Sequence, residues 1–363
     1  MSGHAASLQP GNVGTSLPLT PMRTPLDVVD VAFDLMRIDS TSGREGEVIT
    51  FVERLLMNRG WRVQRIPITS GRDDILATSS DAPLVTLSTH LDTVPPYIAP
   101  VRSETSLTGR GACDAKGIAA AMICAAERLR DAGADIALLF VVGEETTHDG
   151  AHAANDAHRR GVVPTTSRAL INGEPTESTL AVGTKGAVRM TLRTSGRAAH
   201  SAYPHLGDSA TLRLVRLLAE LDALDLPRDP VLGDTTINIA TLAGGVADNI
   251  VAPSAEARLM ARLVGPVEEL LDVVRRWAAD RADLEVGASV PPVRLATVPG
   301  VPTSVVAFAT DIPVLTRWGQ PYLFGPGSIH VAHSDHESID IAELRRAVDA
   351  YEHIARSVLA AAT

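Results

Sequence analysis

The sequence is short of three things. Only two of its 363 residues are cysteine, Cys113 and Cys124. Two cysteines offer neither a disulfide framework nor a thiolate metal knuckle, which fits a reducing compartment. Aromatic residues make up 3% of the chain, although hydrophobic residues reach 45%. A large core is therefore available, and it must be mostly aliphatic. Basic charge is the third shortage: 33 Lys and Arg face 43 Asp and Glu, a net charge of −10. That balance disfavours nucleic acid and anionic membrane surfaces as partners, because both recruit basic patches. No apolar run approaches the roughly 20 residues of a membrane span. Residues 1–23 are rich in Ser, Gly, Pro and Thr but lack the basic and apolar regions of a signal peptide. They read as a disordered tail on a cytoplasmic protein.

What the chain does contain is a repeated α/β grammar. Its length favours two domains. An ordered region is expected to begin at Thr24-Pro25-Leu26-Asp27, with a helix cap followed by proline. LVTLST (84–89) is a β-rich run ending at His90-Leu91-Asp92, and GIAAAMICAAERLRDAG (117–133) is a helix stopped by glycine. DIALLFVV (135–142) runs into Gly143-Glu144-Glu145, and RALIN (168–172) into Gly173-Glu174. Strands alternating with helices predict a mostly parallel sheet, with ligands beyond the carboxyl ends of the strands. Three successive strands deliver a polar, ligand-capable residue at that end. After about residue 183 the pattern becomes β-α-β-β-α: strands at 187–196, 235–245 and 255–265, and helices at 208–224 and 268–283. This predicts a small α+β sandwich inserted into the larger α/β domain, which resumes with YLFGPG (322–327) and closes on a helix over 340–361.

The candidate metal ligands are His90, Asp114, Glu145, Glu174 and His333. All offer nitrogen or oxygen donors, which suit zinc or a similar first-row ion. Each alone has a plainer reading. His90-Leu91-Asp92 by itself is more often a surface turn, yet Asp92 can also accept the imidazole's other N–H and fix its tautomer. Asp114 sits in GRGACDAKG (109–117), whose spacing matches neither GxGxxG nor a P-loop, so phosphate binding is a weak reading. Cys113 reads as a small packed residue. Glu144-Glu145 could be a solvated acidic turn, but a buried strand leads directly into the pair. Adjacent carboxylates there would repel unless a dication binds one, leaving the other free for acid/base work.

Together these segments resemble the di-zinc amidohydrolase and metallopeptidase family that includes acetylornithine deacetylase, succinyl-diaminopimelate desuccinylase, aminoacylase and the glutamate carboxypeptidases. HLDTVP (90–95), the GRGACDAKG loop, GEE (143–145), Glu174, GRAAHSAYP (196–204) and FGPGSIHVAHSDHE (324–337) fall in family order over nearly the whole chain after the tail. The acetylornithine deacetylase-like branch is the most similar. The resemblance implies two metal ions, zinc or alternatively cobalt, with His90 and Glu174 on one, Glu145 and His333 on the other, and Asp114 bridging. Asp92 would orient His90, and Glu144 would be the general acid/base of an amide hydrolysis through a metal-bridging hydroxide. The implied division is a catalytic domain over residues 24–184 and 293–363, with a dimerisation lid over 185–292. In the lid, His200 would reach a partner subunit's site and stabilise the oxyanion. Lys185, Asn249 and Arg262 would hold the substrate carboxylate, and Gly325 and Gly327 would let their loop approach the substrate.

The implied activity is deacylation of an N-acyl amino acid in amino-acid biosynthesis, by a homodimer acting on a small molecule. A desuccinylase, a dipeptidase or a carboxypeptidase of the same family is the alternative. A nicotinamide oxidoreductase would need a GxGxxG turn after the first strand, which is absent; a non-catalytic scaffold would not need every ligand and the base. Among the three closely spaced histidines, His333 occupies the family's ligand position. His330 reads as lining or surface. His336, standing before Glu337 where relatives carry Asp or Asn, departs from the pattern.

Overall fold

The computed structural model describes residues 24–163 and 166–361; the tail expected over residues 1–23 lies outside the described residues. Seven α-helices are described: α1 (Val28–Met36), α2 (Gly46–Asn58), α3 (Lys116–Asp131), α4 (Asp149–Arg159), α5 (Ala210–Leu218), α6 (Val267–Ala278) and α7 (Ile341–Ala361). The first begins later than Thr24-Pro25 suggests. Its cap is Asp27, whose carboxylate accepts the Val29 N–H at 2.8 Å. Aspartate caps more strongly than threonine, and starting there turns Val28, Val31, Ala32 and Leu35 onto the core.

The principal sheet has six strands: β1 (Arg62–Thr69), β2 (Arg72–Thr78), β3 (Val85–His90), β4 (Ile136–Val141), β5 (Ala169–Asn172) and, far along the chain, β10 (Gln320–Leu323). Their order is β1-β2-β4-β3-β5-β10. The last four run parallel, and β1 and β2 form an antiparallel hairpin on one edge. β3, β4 and β5 are buried along their whole length, as strands covered on both faces must be. Helices α1, α3 and α7 pack with one face, and α4 with Trp318 covers the other. The strand β2 is hard to see in the sequence because it opens on Arg72-Asp73-Asp74. Two of those charges are paired on site, Arg72 with Glu45 and Asp149 and Asp73 with Arg65, while burial pushes the Asp74 carboxyl well above its usual range.

Between β5 and β10 lies a second sheet with its own core. Its strands are β6 (Gly186–Ser195), β7 (Thr236–Gly244), β8 (Ser254–Leu263) and β9 (Asp283–Val290), ordered β7-β8-β6-β9 and antiparallel throughout. Helices α5 and α6 cover one face, burying Val188, Leu192, Leu214, Leu259, Leu271 and Trp277. Sequence reading expects three strands here and runs the second helix to Asp283. The helix in fact stops at Ala278, beside Ala279 at φ +42°, and frees β9 to pair with β6. Edge strand β7 is exposed almost throughout, with Ile239 at 40% and Leu242 at 53%. No helix among the described residues is long and apolar enough to cross a membrane.

Candidate metal centre

Parallel strands aim their carboxyl ends at one edge of the sheet, and there the chemistry gathers. His90 is the last residue of β3. Glu144 and Glu145 follow β4 after Gly143, which turns at φ +75°. Glu174 follows β5 by two residues, and His333 lies on the loop after β10, at φ +62°. Asp114 comes from the loop before α3 and is joined to Ala115 by a cis peptide bond.

Asp114 is the centre of the arrangement. One of its oxygens lies 3.0 Å from His90 Nε2 and the other 3.2 Å from His333 Nε2. His90 Nε2 also lies 4.0 Å from Glu174, and His333 Nε2 lies 3.0 Å from Glu145. Two donor pairs therefore flank a single carboxylate, His90 with Glu174 and His333 with Glu145. His90, Asp114 and Glu174 are almost fully buried, whereas half of the His333 side chain is exposed.

The electrostatics call for a cation. Burial pushes the Glu174 carboxyl well above its usual range, and does the same to Glu144, where repulsion from Glu174 adds to it. Glu174 Oε1 is buried and finds no hydrogen-bond partner among the described residues. Burial opposes charge on His90 and raises Asp114, but the Asp114–His90 and Asp114–His333 contacts outweigh it, leaving the imidazole high and the Asp114 carboxyl low. Asp114 and Glu145 lift the His333 imidazole to about 10. A bound cation would replace that proton, as metal binding at imidazole requires. Four carboxylates and two imidazoles converging on one edge fit divalent cations held by oxygen and nitrogen donors.

Supporting groups hold this geometry. Asp92 does more than orient His90. Its main-chain carbonyl is the nearest acceptor of the imidazole, 2.9 Å from Nδ1, while its carboxylate is 3.6 Å away. That carboxylate instead accepts the backbone N–H groups of Glu144 and Glu145 at 3.1 and 3.3 Å and the Ser42 hydroxyl at 2.7 Å. Glu337 is fully buried and accepts from Arg110 at 2.7 Å and from the Cys113 and Asp114 backbone N–H groups at 3.2 and 3.1 Å. It fixes the loop that carries Asp114. Cys113 is buried within that loop, and burial pushes its thiol well up, so it is packing rather than a nucleophile.

A cavity of about 550 Å³ opens over Asp114, Glu144, Glu145, Glu174 and His333. The face of the second sheet that carries no helices roofs it with Ala187, Arg189, Met260, Arg262 and Val290. A neighbouring pocket of about 370 Å³, walled by Val305 and Val306, shares Arg262, Phe308 and Ile329 with it.

The sequence profile of peptidase family M20/M25/M40 matches residues 86–357. The chain belongs to that family. A probable carboxypeptidase of Aspergillus terreus is 37% identical over 369 residues, covering 90% of this chain and 85% of that protein. Among solved structures, the aminopeptidase PepT of Bacillus cereus superposes with a TM-score of 0.75 at 20% identity, covering 92% of this chain and 98% of that one. The YXEP protein of Bacillus subtilis, a dinuclear metal-binding peptidase of the M20 family, gives a TM-score of 0.67 at 14% identity, covering 92% and 97%. These two likenesses establish the M20 fold for the α/β chain described above.

Not every residue expected at the M20 site lines its cavity. Lys185 donates to the Asp234 carbonyl at 2.7 Å. His200, on the exposed loop between β6 and α5, and Asn249, on the exposed loop between β7 and β8, sit side by side, with the Asn249 carbonyl accepting the Ser201 N–H at 2.9 Å; neither lines the cavity of its own chain. Gly325 and Gly327 have packing reasons to be glycine. A Cβ on Gly325 would stand 2.3 Å from the Glu174 carbonyl, and one on Gly327 2.5 Å from Cys113 Cβ. His330 is 82% exposed at the rim of the smaller pocket, and His336 is exposed. Sequence reasoning missed Arg189, whose only signal is its parity with Ala187 on an alternating strand. It also missed His148 and Asp311, paired at 2.8 Å behind Glu144, which no spacing could connect.

Proposed function

We propose that the chain hydrolyses an amide bond whose amine product is a free α-amino acid, with N-acyl amino acids of the acetylornithine type as the first substrates to test. The observation that carries this is the position of Asp114 between His90–Glu174 and His333–Glu145, with Glu144 beside them in the same cavity. His90, Glu174, Glu145, His333 and the bridging Asp114 would hold two divalent ions, zinc by the donor set. Bound there, the ions would supply Lewis acidity toward the amide oxygen and an activated water.

The rest is done by the chain. Glu144, kept protonatable by burial, takes a proton from the attacking water and returns it to the departing amine. Asp92 holds the backbone of Glu144 so that its carboxyl faces the cavity. Arg262, on the cavity roof, receives the substrate carboxylate. The exposed edge of β7 and the adjoining loops bearing His200 and Asn249 would face a second copy, so that His200 contributes to its partner's cavity.

A second reading, removal of a C-terminal residue from a peptide, is favoured by the carboxypeptidase name of the Aspergillus relative. Both readings release an amino acid from an amide. The zinc-loaded chain is expected to hydrolyse at least one of N-acetylornithine, N-acetylcitrulline, N-succinyl-diaminopimelate and short dipeptides. Glu144→Ala is expected to keep its metal and lose about a thousandfold or more in kcat. No hydrolysis across the panel would refute the proposal.

A further inference from the structure

The cavity-facing side of the second sheet carries four arginines, and they divide into two pairs. Away from the cavity, Arg193 pairs with Glu256 at 2.9 Å and with Glu285, and Arg258 pairs with Glu256 at 3.2 Å. Over the cavity, the guanidinium groups of Arg189 and Arg262 have no carboxylate or other hydrogen-bond partner among the described residues. The register explains why these two act together. Arg262 stands opposite Ala187, and Arg189 opposite Met260. The two arginines are thus diagonal neighbours on one face, roughly 7–8 Å apart at their α-carbons. Both line the same cavity as Asp114, Glu144, Glu145, Glu174 and His333. The side chain between them in register, Met260, is apolar and also lines the cavity.

A guanidinium facing a partly closed cavity without a counter-ion is a preformed receptor for a planar anion, because it can offer a bidentate fork to a carboxylate. One such group suits the single carboxylate of any N-acyl amino acid. Two, side by side above the metal ligands, suit two carboxylates. We propose that Arg189 and Arg262 form a two-carboxylate receptor, and that Arg189 selects substrates carrying a second carboxylate within reach of the scissile amide. This rests on the hydrolase reading above and adds a substrate class to it. The second carboxylate has two chemical sources: the side chain of an acidic amino acid on the amine side, or the free end of a dicarboxylic acyl group on the other. Arg189 is a specificity residue; Arg262 serves every substrate.

Four compounds separate the sources: N-acetylleucine, N-acetylglutamine, N-acetylglutamate and N-succinylleucine. With the zinc-loaded chain, at least one of the last two is expected to exceed its single-carboxylate counterpart in kcat/KM by about tenfold or more, since a site built to pair a polar group rejects the analogue lacking it. In Arg189→Gln that ratio is expected to fall toward one, and in Arg189→Lys to recover in part, with the thermal midpoint unmoved in both. Whichever of N-acetylglutamate and N-succinylleucine gains names the source. A wild-type ratio near one, or an Arg189→Gln variant that slows all four compounds equally, overturns the receptor. If no compound is hydrolysed, the hydrolase reading fails, and calorimetry on the same protein still decides the receptor. Glutarate should then bind more tightly than butyrate to the wild type but not to Arg189→Gln. Equal binding of the two acids by the wild type would overturn the receptor.

Discussion

At the scale of single residues, the site depends on groups that touch no ligand position. His148 lies just after the Glu144-Glu145 turn, at φ +53°, with Nδ1 2.8 Å from the buried Asp311 carboxylate. The Asp311 hydrogen bond raises the His148 pKa above its ordinary value against the opposing effect of burial. A raised histidine contributes stability that is fully present below its unfolded pKa of about 6.5, and that contribution fades as pH rises through the folded value. Asparagine tolerates the left-handed backbone, so His148→Asn isolates the lost charge. The variant is expected to lose roughly 1–3 kcal/mol near pH 6, with a smaller deficit near pH 9, read from urea midpoints at the two pH values. Equal deficits would show that the imidazolium contributes nothing. None of this is legible in the sequence, because Asp311 and His148 meet only through the fold. The five candidate ligands, by contrast, could be picked out in the sequence, because each ends a recognisable strand or follows a glycine turn, and the fold brings their side chains together.

At the scale of elements, the loop after β10 matters as a packing device. Gly325 donates its N–H to the Thr176 hydroxyl at 2.9 Å and lies against the Glu174 main chain. A methyl group there would strike the Glu174 carbonyl at 2.3 Å, so β5 and β10 would have to part at the end that carries Glu174. Gly325→Ala is expected to lower zinc occupancy by tenfold or more, about the effect of losing a supporting contact, while far-ultraviolet circular dichroism stays the same. Metal content after dialysis against a zinc buffer measures it; full occupancy would show that the loop yields. The sequence foretells the parallel strands, since their apolar runs are continuous. It hides β2 behind charged residues and β9 behind an amphipathic helix, because both depend on partners distant in the chain.

At the scale of the whole molecule, the second sheet has an open edge. Strand β7 leaves Leu242 and Ile239 in solvent, and an exposed hydrophobic edge is a template for pairing with another chain. If the edge pairs with that of a second copy, Leu242→Asp is expected to shift the protein from dimer to monomer in light scattering after gel filtration, and to depress kcat if His200 acts across the interface. A wild-type protein that is monomeric at micromolar concentration would rule this out. The same variant with unchanged mass and unchanged activity would place the contact elsewhere.

The pairing of β5 with β10 has a consequence for how the protein is made. Ala169 sits beside Gln320 and Asn172 beside Leu323, so a loop containing the entire second sheet must close before His333 can join the other candidate ligands. Closing so long a loop is slow, and structures dominated by distant pairings fold late. During synthesis, His90, Asp114, Glu145 and Glu174 emerge first and wait as an unmatched acidic half-site. Only when the segment after β10 leaves the ribosome can His333 reach Asp114. If these residues hold metal as proposed, its capture would close biogenesis: a nascent chain stalled before His333 should then bind zinc weakly, and release of the full chain should convert that weak binding to tight binding in one step.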